Sequence, residues 1–158
     1  MVNNVLAVDP GKRHLGWAML QHNDKLRAGY ASSALDPPEA WRDLAGQIAA
    51  RHADVVVVEQ MVDYPGAQRV ANPNDLLPLA GLAGAVFATF RADQWLWPTP
   101  RRWKGTVPKN VHHKRIWDSL SEAQARELAR VTDHLSAKQT ADVLDAVGLA
   151  FWGRRCAR

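Results

Sequence analysis

Four consecutive valines, Val55-Val56-Val57-Val58, stand between two acids, Asp54 and Glu59. A strand with one wet face alternates apolar and polar residues, because successive side chains point to opposite sides of the sheet. This run does not alternate. Both of its faces must be covered, so it belongs in the interior of a sheet with other layers packed above and below. β-Branched side chains also favour the extended backbone. The run therefore calls for an α/β architecture, and it carries Glu59 to the end of an interior strand.

A second run, Val5-Leu6-Ala7-Val8, ends in the same way, in Asp9, and Pro10-Gly11 then turns the chain. Taken alone, Asp-Pro-Gly reads more readily as a turn-forming sequence than as a ligand site. Gly11 and Gly16 let the chain fold tightly around the acid. Residues 15–20 and 25–32 read as further strands joined through His22-Asn23-Asp24, which makes the first three strands an antiparallel meander. Pro37 and Pro38 open a helix running to about residue 52, with Asp36 as its N-cap. Its apolar residues Trp41, Leu44, Ala45, Ile48 and Ala49 follow the spacing of one buried helix face. Asp75 is placed to cap a helix running to about residue 91, where Gly81 and Gly84 allow close approach of a neighbour. Residues 95–97 form a short last strand stopped by Pro98. The final third is helical: residues 110–120, residues 121–131, and a last helix capped by Ser136 with Gln139 that extends to about residue 154. The order βββ-α-β-α-β-α predicts a five-stranded mixed sheet with helices on both faces.

The 158 residues, 47% hydrophobic and 23% charged, fit a single globular domain over 1–158. The lone Cys156 excludes an internal disulfide and fits a reducing compartment. No apolar run approaches the ~20 residues that span a bilayer, and no secretory pattern opens the chain, so a cytoplasmic protein is expected. The net charge of +4 is unevenly spread. Residues 94–117 contain six Lys or Arg and no acid: Arg101, Arg102, Lys104, Lys109, Lys114 and Arg115. The rest of the chain therefore has a slight acidic excess, and the basicity sits in one segment, as at a nucleic-acid site; a solvated loop is the alternative.

Asp142 and Asp145 are three residues apart on the last helix, so they share a face with Cβ atoms ~5–6 Å apart. Around them stand Ala141, Val143, Leu144, Ala146, Val147, Leu149, Ala150 and Phe151, which leave no polar stripe. Two acids in an apolar helix are costly unless a cation or donors compensate them. The helix dipole would account for Asp142 near the N-terminus but less easily for Asp145. If the first and fourth strands are parallel neighbours, Asp9 and Glu59 leave the sheet at one edge, and the last helix can bring Asp142 and Asp145 over it. Four carboxylates without Cys or His make a hard oxygen site suited to Mg²⁺ or Mn²⁺. Two such ions ~3.5–4 Å apart can drive phosphodiester hydrolysis.

These motifs together resemble the RuvC-type Holliday junction resolvases of the ribonuclease H-like superfamily, more closely a phage-type member. Residues 5–17 resemble the family's first strand with its Asp-Pro-Gly, and residues 55–60 the strand ending in Glu-Gln. Residues 79–85 resemble the helix after the active-site loop, and Asp142-Val143-Leu144-Asp145-Ala146 the C-terminal acidic pair. The resemblance implies a ribonuclease H-like fold and a homodimer that binds four-way junction DNA and makes two symmetric cuts with Mg²⁺ or Mn²⁺, in the host cytoplasm if phage-encoded. Its catalytic and metal-binding residues would be Asp9, Glu59, Asp142 and Asp145. By position, the family's two functional lysines fall on Lys104 and Lys114. The family's stacking aromatic after Glu-Gln is replaced by Val62, with Tyr64 two residues later as the candidate.

Arg101, Arg102, Lys109, Arg115 and Lys12 complete the residues expected to hold phosphates. Trp103 and Trp117 could stack on bases but are expected to pack in the core. His112 and His113, lacking ligand-spaced partners, are expected at the surface rather than at zinc. Three other activities compete with junction resolution: cutting flaps or forks, cutting structured RNA, and binding junctions without cutting them. The four-acid set argues against the last.

Overall fold

The computed structural model describes residues 4–48, 52–62 and 73–157. Five strands make one sheet: β1 (Val5–Pro10), β2 (His14–Leu20), β3 (Leu26–Ser32), β4 (Val55–Val58) and β5 (Gln94–Leu96). Their order across the sheet is β3-β2-β1-β4-β5. β1 to β3 form the expected antiparallel meander, whereas β4 pairs parallel to β1 and β5 parallel to β4. The valine strand β4 is buried at all four positions, as its uniform composition requires.

Six helices cover the sheet: α1 (Glu39–Gln47), α2 (Pro73–Thr89), α3 (Pro100–Lys104), α4 (Lys109–Ser119), α5 (Glu122–Thr132) and α6 (Ala137–Cys156). Strand side chains alternate between two cores. Val5, Ala7, Val55 and Val57 pack with Ile116, Leu128 and α6. Leu6, Val8, Val56 and Val58 pack on the other side with Leu44 of α1 and with Leu82 and Val86 of α2. The same alternation turns Asp9 and Glu59 towards the α6 side, since they follow Ala7 and Val57 by two.

Several boundaries differ from expectation. α1 begins at Glu39 with Pro38 as its N-cap and ends at Gln47, with Ile48 already extended. Asp36 does not cap it by its side chain; it pairs with Arg13 instead. α2 starts two residues before Asp75, which therefore lies within the helix rather than at its cap. Gly81 does receive a neighbour, the Trp41 ring, but an added Cβ at Gly84 would meet nothing within 4 Å. Ser136 and Gln139 form the reciprocal capping box predicted for α6, and Ser121 with Gln124 repeats it on α5. No helix among the described residues is long and apolar enough to cross a membrane.

Candidate active site

Parallel pairing fixes the first two acids. Val8 stands opposite Val58, and the Glu59 amide donates to the Val8 carbonyl at 3.2 Å. Asp9 and Glu59 thus leave neighbouring strands at their carboxyl ends, the usual place for ligands in open α/β sheets. α6 crosses this edge because β2 gives it room: a Cβ at Gly16 would lie 2.2 Å from the Asp142 carbonyl oxygen. Gly16 therefore serves close packing of α6, and Gly11 serves the His14 ring, which a Cβ there would meet at 2.3 Å.

The third contribution comes from α3 and α4. The Gln60 amide donates to the Pro98 carbonyl at 2.8 Å, tying the end of β4 to the segment that enters α3. Lys104, the last residue of α3, lies with Nζ 3.2 Å from Glu59 Oε2 and 3.7 Å from Asp145 Oδ2. Trp103 Nε1 donates to Glu59 Oε2 at 2.5 Å. Lys109 Nζ is 3.0 Å from Asp145 Oδ2, and His113 Nε2 is 2.8 Å from Asp145 Oδ1. On the far side, His14 Nε2 lies 3.4 Å from Asp142 Oδ2, and its ring stacks on Tyr30. Asp142 Oδ2 itself is buried and accepts no hydrogen bond.

The electrostatics follow from this crowding. Glu59 and Asp145 are only 6% and 3% exposed, so their charges depend on nearby cations. Burial, then repulsion from Glu59, Asp145 and Asp142, pushes the Asp9 carboxyl well above the usual range, against some relief from Lys104. Burial likewise raises Asp142, although His14 and Lys109 oppose it. Asp145 is also driven up by burial, but Lys104, His113 and Lys109 together outweigh this and hold it below its ordinary value. The Asp145 partner, Lys109, is shifted up because that pairing outweighs its partial burial.

The four predicted acids therefore converge on one strand edge, and Lys104 reaches them. Lys114 does not: it is exposed and paired with Asp118 one turn along α4, whereas Lys109 touches Asp145. Arg101 and Arg102 extend from α3, the latter lying over the Trp152 ring at 5.9 Å. Arg115 is exposed on α4, and Lys12 lies on the exposed turn between β1 and β2. Tyr64 lies outside the described residues.

Two expectations need correction. His113 is not a surface histidine: it is largely buried and bonded to Asp145. His112 packs edge-on against Trp103, with ring centroids 5.0 Å apart. Trp103 packs in the core as expected, but its indole N–H also holds Glu59, a role that sequence reasoning missed. The signal available for both was their place in the acid-free basic segment.

No three of the described His, Cys, Asp or Glu residues stand as a ready-made ligand set. Glu59 and Asp145 are turned instead towards Lys104, Lys109 and His113. The donor chemistry nevertheless fits a hard divalent ion. Four carboxylates share one edge, Asp142 Oδ2 is buried without a hydrogen bond, and Asp9 is crowded by three like charges that a cation would relieve.

No family model matches the chain, and no curated protein matches it in sequence. Solved structures do match in shape. Thermus thermophilus RuvC in complex with a Holliday junction substrate superposes with a TM-score of 0.52 at 17% identity, over 98% of this chain and 96% of that one. The chain has the fold of the RuvC resolvases. A second structure of Thermus thermophilus RuvC gives a TM-score of 0.50 at 18% identity, covering 94% of this chain and 92% of that one. The fowlpox virus Holliday junction resolvase gives 0.55 at 15% identity, covering 94% and 95%. The RuvC fold, a ribonuclease H-like arrangement, agrees with the mixed five-stranded sheet and its antiparallel first three strands.

Proposed function

We propose that this chain is a divalent-metal-dependent DNA endonuclease that resolves four-way junctions by paired phosphodiester hydrolysis. The observation carrying the reading is the convergence of Asp9, Glu59, Asp142 and Asp145 beside Lys104 and Lys109. It is supported by a fold shared with RuvC, one of whose structures holds a Holliday junction.

Asp9, Glu59, Asp142 and Asp145 would hold two Mg²⁺ or Mn²⁺ ions. When bound, such a pair supplies charge neutralisation at the phosphodiester and makes water a better nucleophile. The chain's own residues do the rest. Trp103 and Lys104 orient Glu59, His113 orients Asp145, and the buried indole and imidazole restrict water around both carboxylates. Lys104 and Lys109 place positive charge where a scissile phosphate would approach. Attack of water on phosphorus breaks one P–O ester bond, and the departing alkoxide takes up a proton. Lys12, Arg101, Arg102, Lys114, Arg115 and Tyr64 are read as contacts to flanking DNA.

Two matched cuts require two such sites, so the reading includes a homodimer. The outer side of α2 supports it, since Leu77, Ala80, Gly84 and Ala88 are exposed along one face without a charge among them. The decisive experiment compares synthetic four-way junction, flap, duplex and RNA substrates with Mg²⁺ present. Paired nicking of the junction is expected. Preference for flaps or RNA would replace junction resolution with another nuclease activity.

A further inference from the structure

Beside the acid cluster, between α3, α4 and α6, lies a cleft of about 280 Å³. Lys104, Arg115 and Arg155 line it, over a floor that includes Trp103, Ile116 and Phe151. No carboxylate lines it among the described residues. Arg115 and Arg155 are exposed, and neither pairs with an acid among the described residues. The contrast is the larger groove beside α5, where Asp24 and Glu127 are interspersed with Lys25, Arg27, Arg126 and Arg130 and offset half of their charge. Arg115 and Arg155, without an acid of their own and beside Lys104, repel one another, and an anion relieves that repulsion. The cleft is near the ~300 Å³ lower end of small-ligand sites.

Lys104 belongs to both places: it lines the cleft and pairs with Glu59 and Asp145. A polyanion held at Lys104 can therefore extend from the acid cluster towards Arg115 and Arg155. We infer that the cleft between α3, α4 and α6 binds one nucleotide of the DNA strand being cut. Arg115 and Arg155 take its phosphate, and its sugar and base edge lie against the floor near Phe151. This rests on the nuclease reading and adds to it a strand path and two phosphate contacts. Such contacts position a strand without reading its sequence.

The test is binding of fluorescently labelled four-way junction and of a single-stranded oligonucleotide in EDTA, across a series of KCl concentrations. The double variant Arg115→Glu/Arg155→Glu is compared with wild type and with Arg126→Glu/Arg130→Glu on α5, which carries the same change in net charge. Loss of two phosphate contacts predicts a salt slope shallower by about 1.4–1.8, with at least ~10-fold weaker binding of both DNAs than the α5 variant shows. The double variant Arg115→Gln/Arg155→Gln removes the charges without reversing them and should show the same change in slope. If both cleft variants bind like the α5 variant while wild type still cuts junctions, the cleft assignment is overturned and the nuclease reading stands. If wild type binds neither DNA, both are overturned. Binding of an acidic peptide with equal affinity would also overturn the nucleotide assignment.

Discussion

Lys109 Nζ lies 3.0 Å from Asp145 Oδ2, so a half-exposed cation on α4 neutralises a buried acid on α6. A divalent ion approaching that carboxylate meets a position already served by an ammonium group. Removing the ammonium should therefore favour the ion. Lys109→Met is expected to bind Mg²⁺ several-fold more tightly by calorimetry. In EDTA it should lose about 1–3 kcal/mol of stability, the usual cost of leaving a buried acceptor less well paired. Unchanged Mg²⁺ affinity would show that Lys109 does not occupy the ion's place.

Asp9→Asn and Asp145→Asn should abolish Mg²⁺-dependent junction cleavage, a loss greater than the ~10–100-fold typical of partners outside a metal's own ligands. Junction binding in EDTA should persist, because neither substitution removes a cation. Gel assays of nicking and of mobility shift separate the two effects. Cutting at the wild-type rate by either variant would remove that acid from the site.

The raised Asp9 carboxyl has a consequence for stability in the absence of divalent ions. A carboxyl whose pKa is raised on folding binds more protons in the native than in the unfolded state, so stability falls as pH rises. Its contribution is complete below the ordinary value of 3.8 and is lost as pH climbs through the raised one. Asp145, held low, works in the opposite direction: its contribution is present above its ordinary value and is lost on acidification through its depressed pKa. In EDTA at neutral pH, Asp9→Asn should melt a few degrees above wild type, at ~2–4 °C per kcal/mol for a chain of this size. The gap should close as pH is lowered. Thermal melts across a pH series starting near the ordinary carboxylate value check the sign, and a gap that widens on acidification would contradict the assignment.

Trp103→Phe keeps the ring in the core but removes the N–H that holds Glu59. A lost hydrogen bond to a buried charged group predicts a cost of about 1.5–3 kcal/mol. Denaturant unfolding measures it, and junction cleavage should fall as well, because Glu59 then has one fewer group to fix its orientation. Wild-type stability would mean that Lys104 alone holds Glu59.

Gly16→Ala puts a Cβ against the Asp142 carbonyl, backbone against backbone, where no rotamer change can relieve it. α6 must shift outward, at a cost of about 1–3 kcal/mol for overpacking. The shift carries Asp142 and Asp145 away from Asp9 and Glu59, so cleavage should fall further than stability alone explains. Nicking rates measured well below the melting transition make that comparison.

The valine run and the acids ending two apolar strands carried enough information to place the sheet interior and one edge of the site. Side-chain alternation then assigns Asp9 and Glu59 to the face that α6 covers, and the apolar surroundings of Asp142 and Asp145 predicted that α6 would be buried. The cations were less legible. Lys109 and Lys114 differ in the sequence only by position within one helix, and which of them faces the acids depends on how α4 is rotated against α6. That rotation is set by Ile116 packing into the core, a tertiary contact with no local signature. His113 was misjudged for the same reason. Gly16 shows the converse: its presence was plain, but its role, room for a helix more than a hundred residues away, is visible only in three dimensions.

On the nuclease reading, the crossing of α6 over the strand edge also sets when the chain can begin to cut. Two of the four acids arrive on α6, which follows both β1 and β4 in the chain. A chain synthesised only through α5 holds Asp9 and Glu59 with neither of their counterparts, and its sheet face lies bare where α6 belongs. The four-acid cluster thus cannot exist before long-range closure of the fold, and such non-local pairings form late because loop closure must precede them. On the proposed function, assembly itself acts as a safety catch: a copy without α6 in place carries the basic segment but not the complete set of acids.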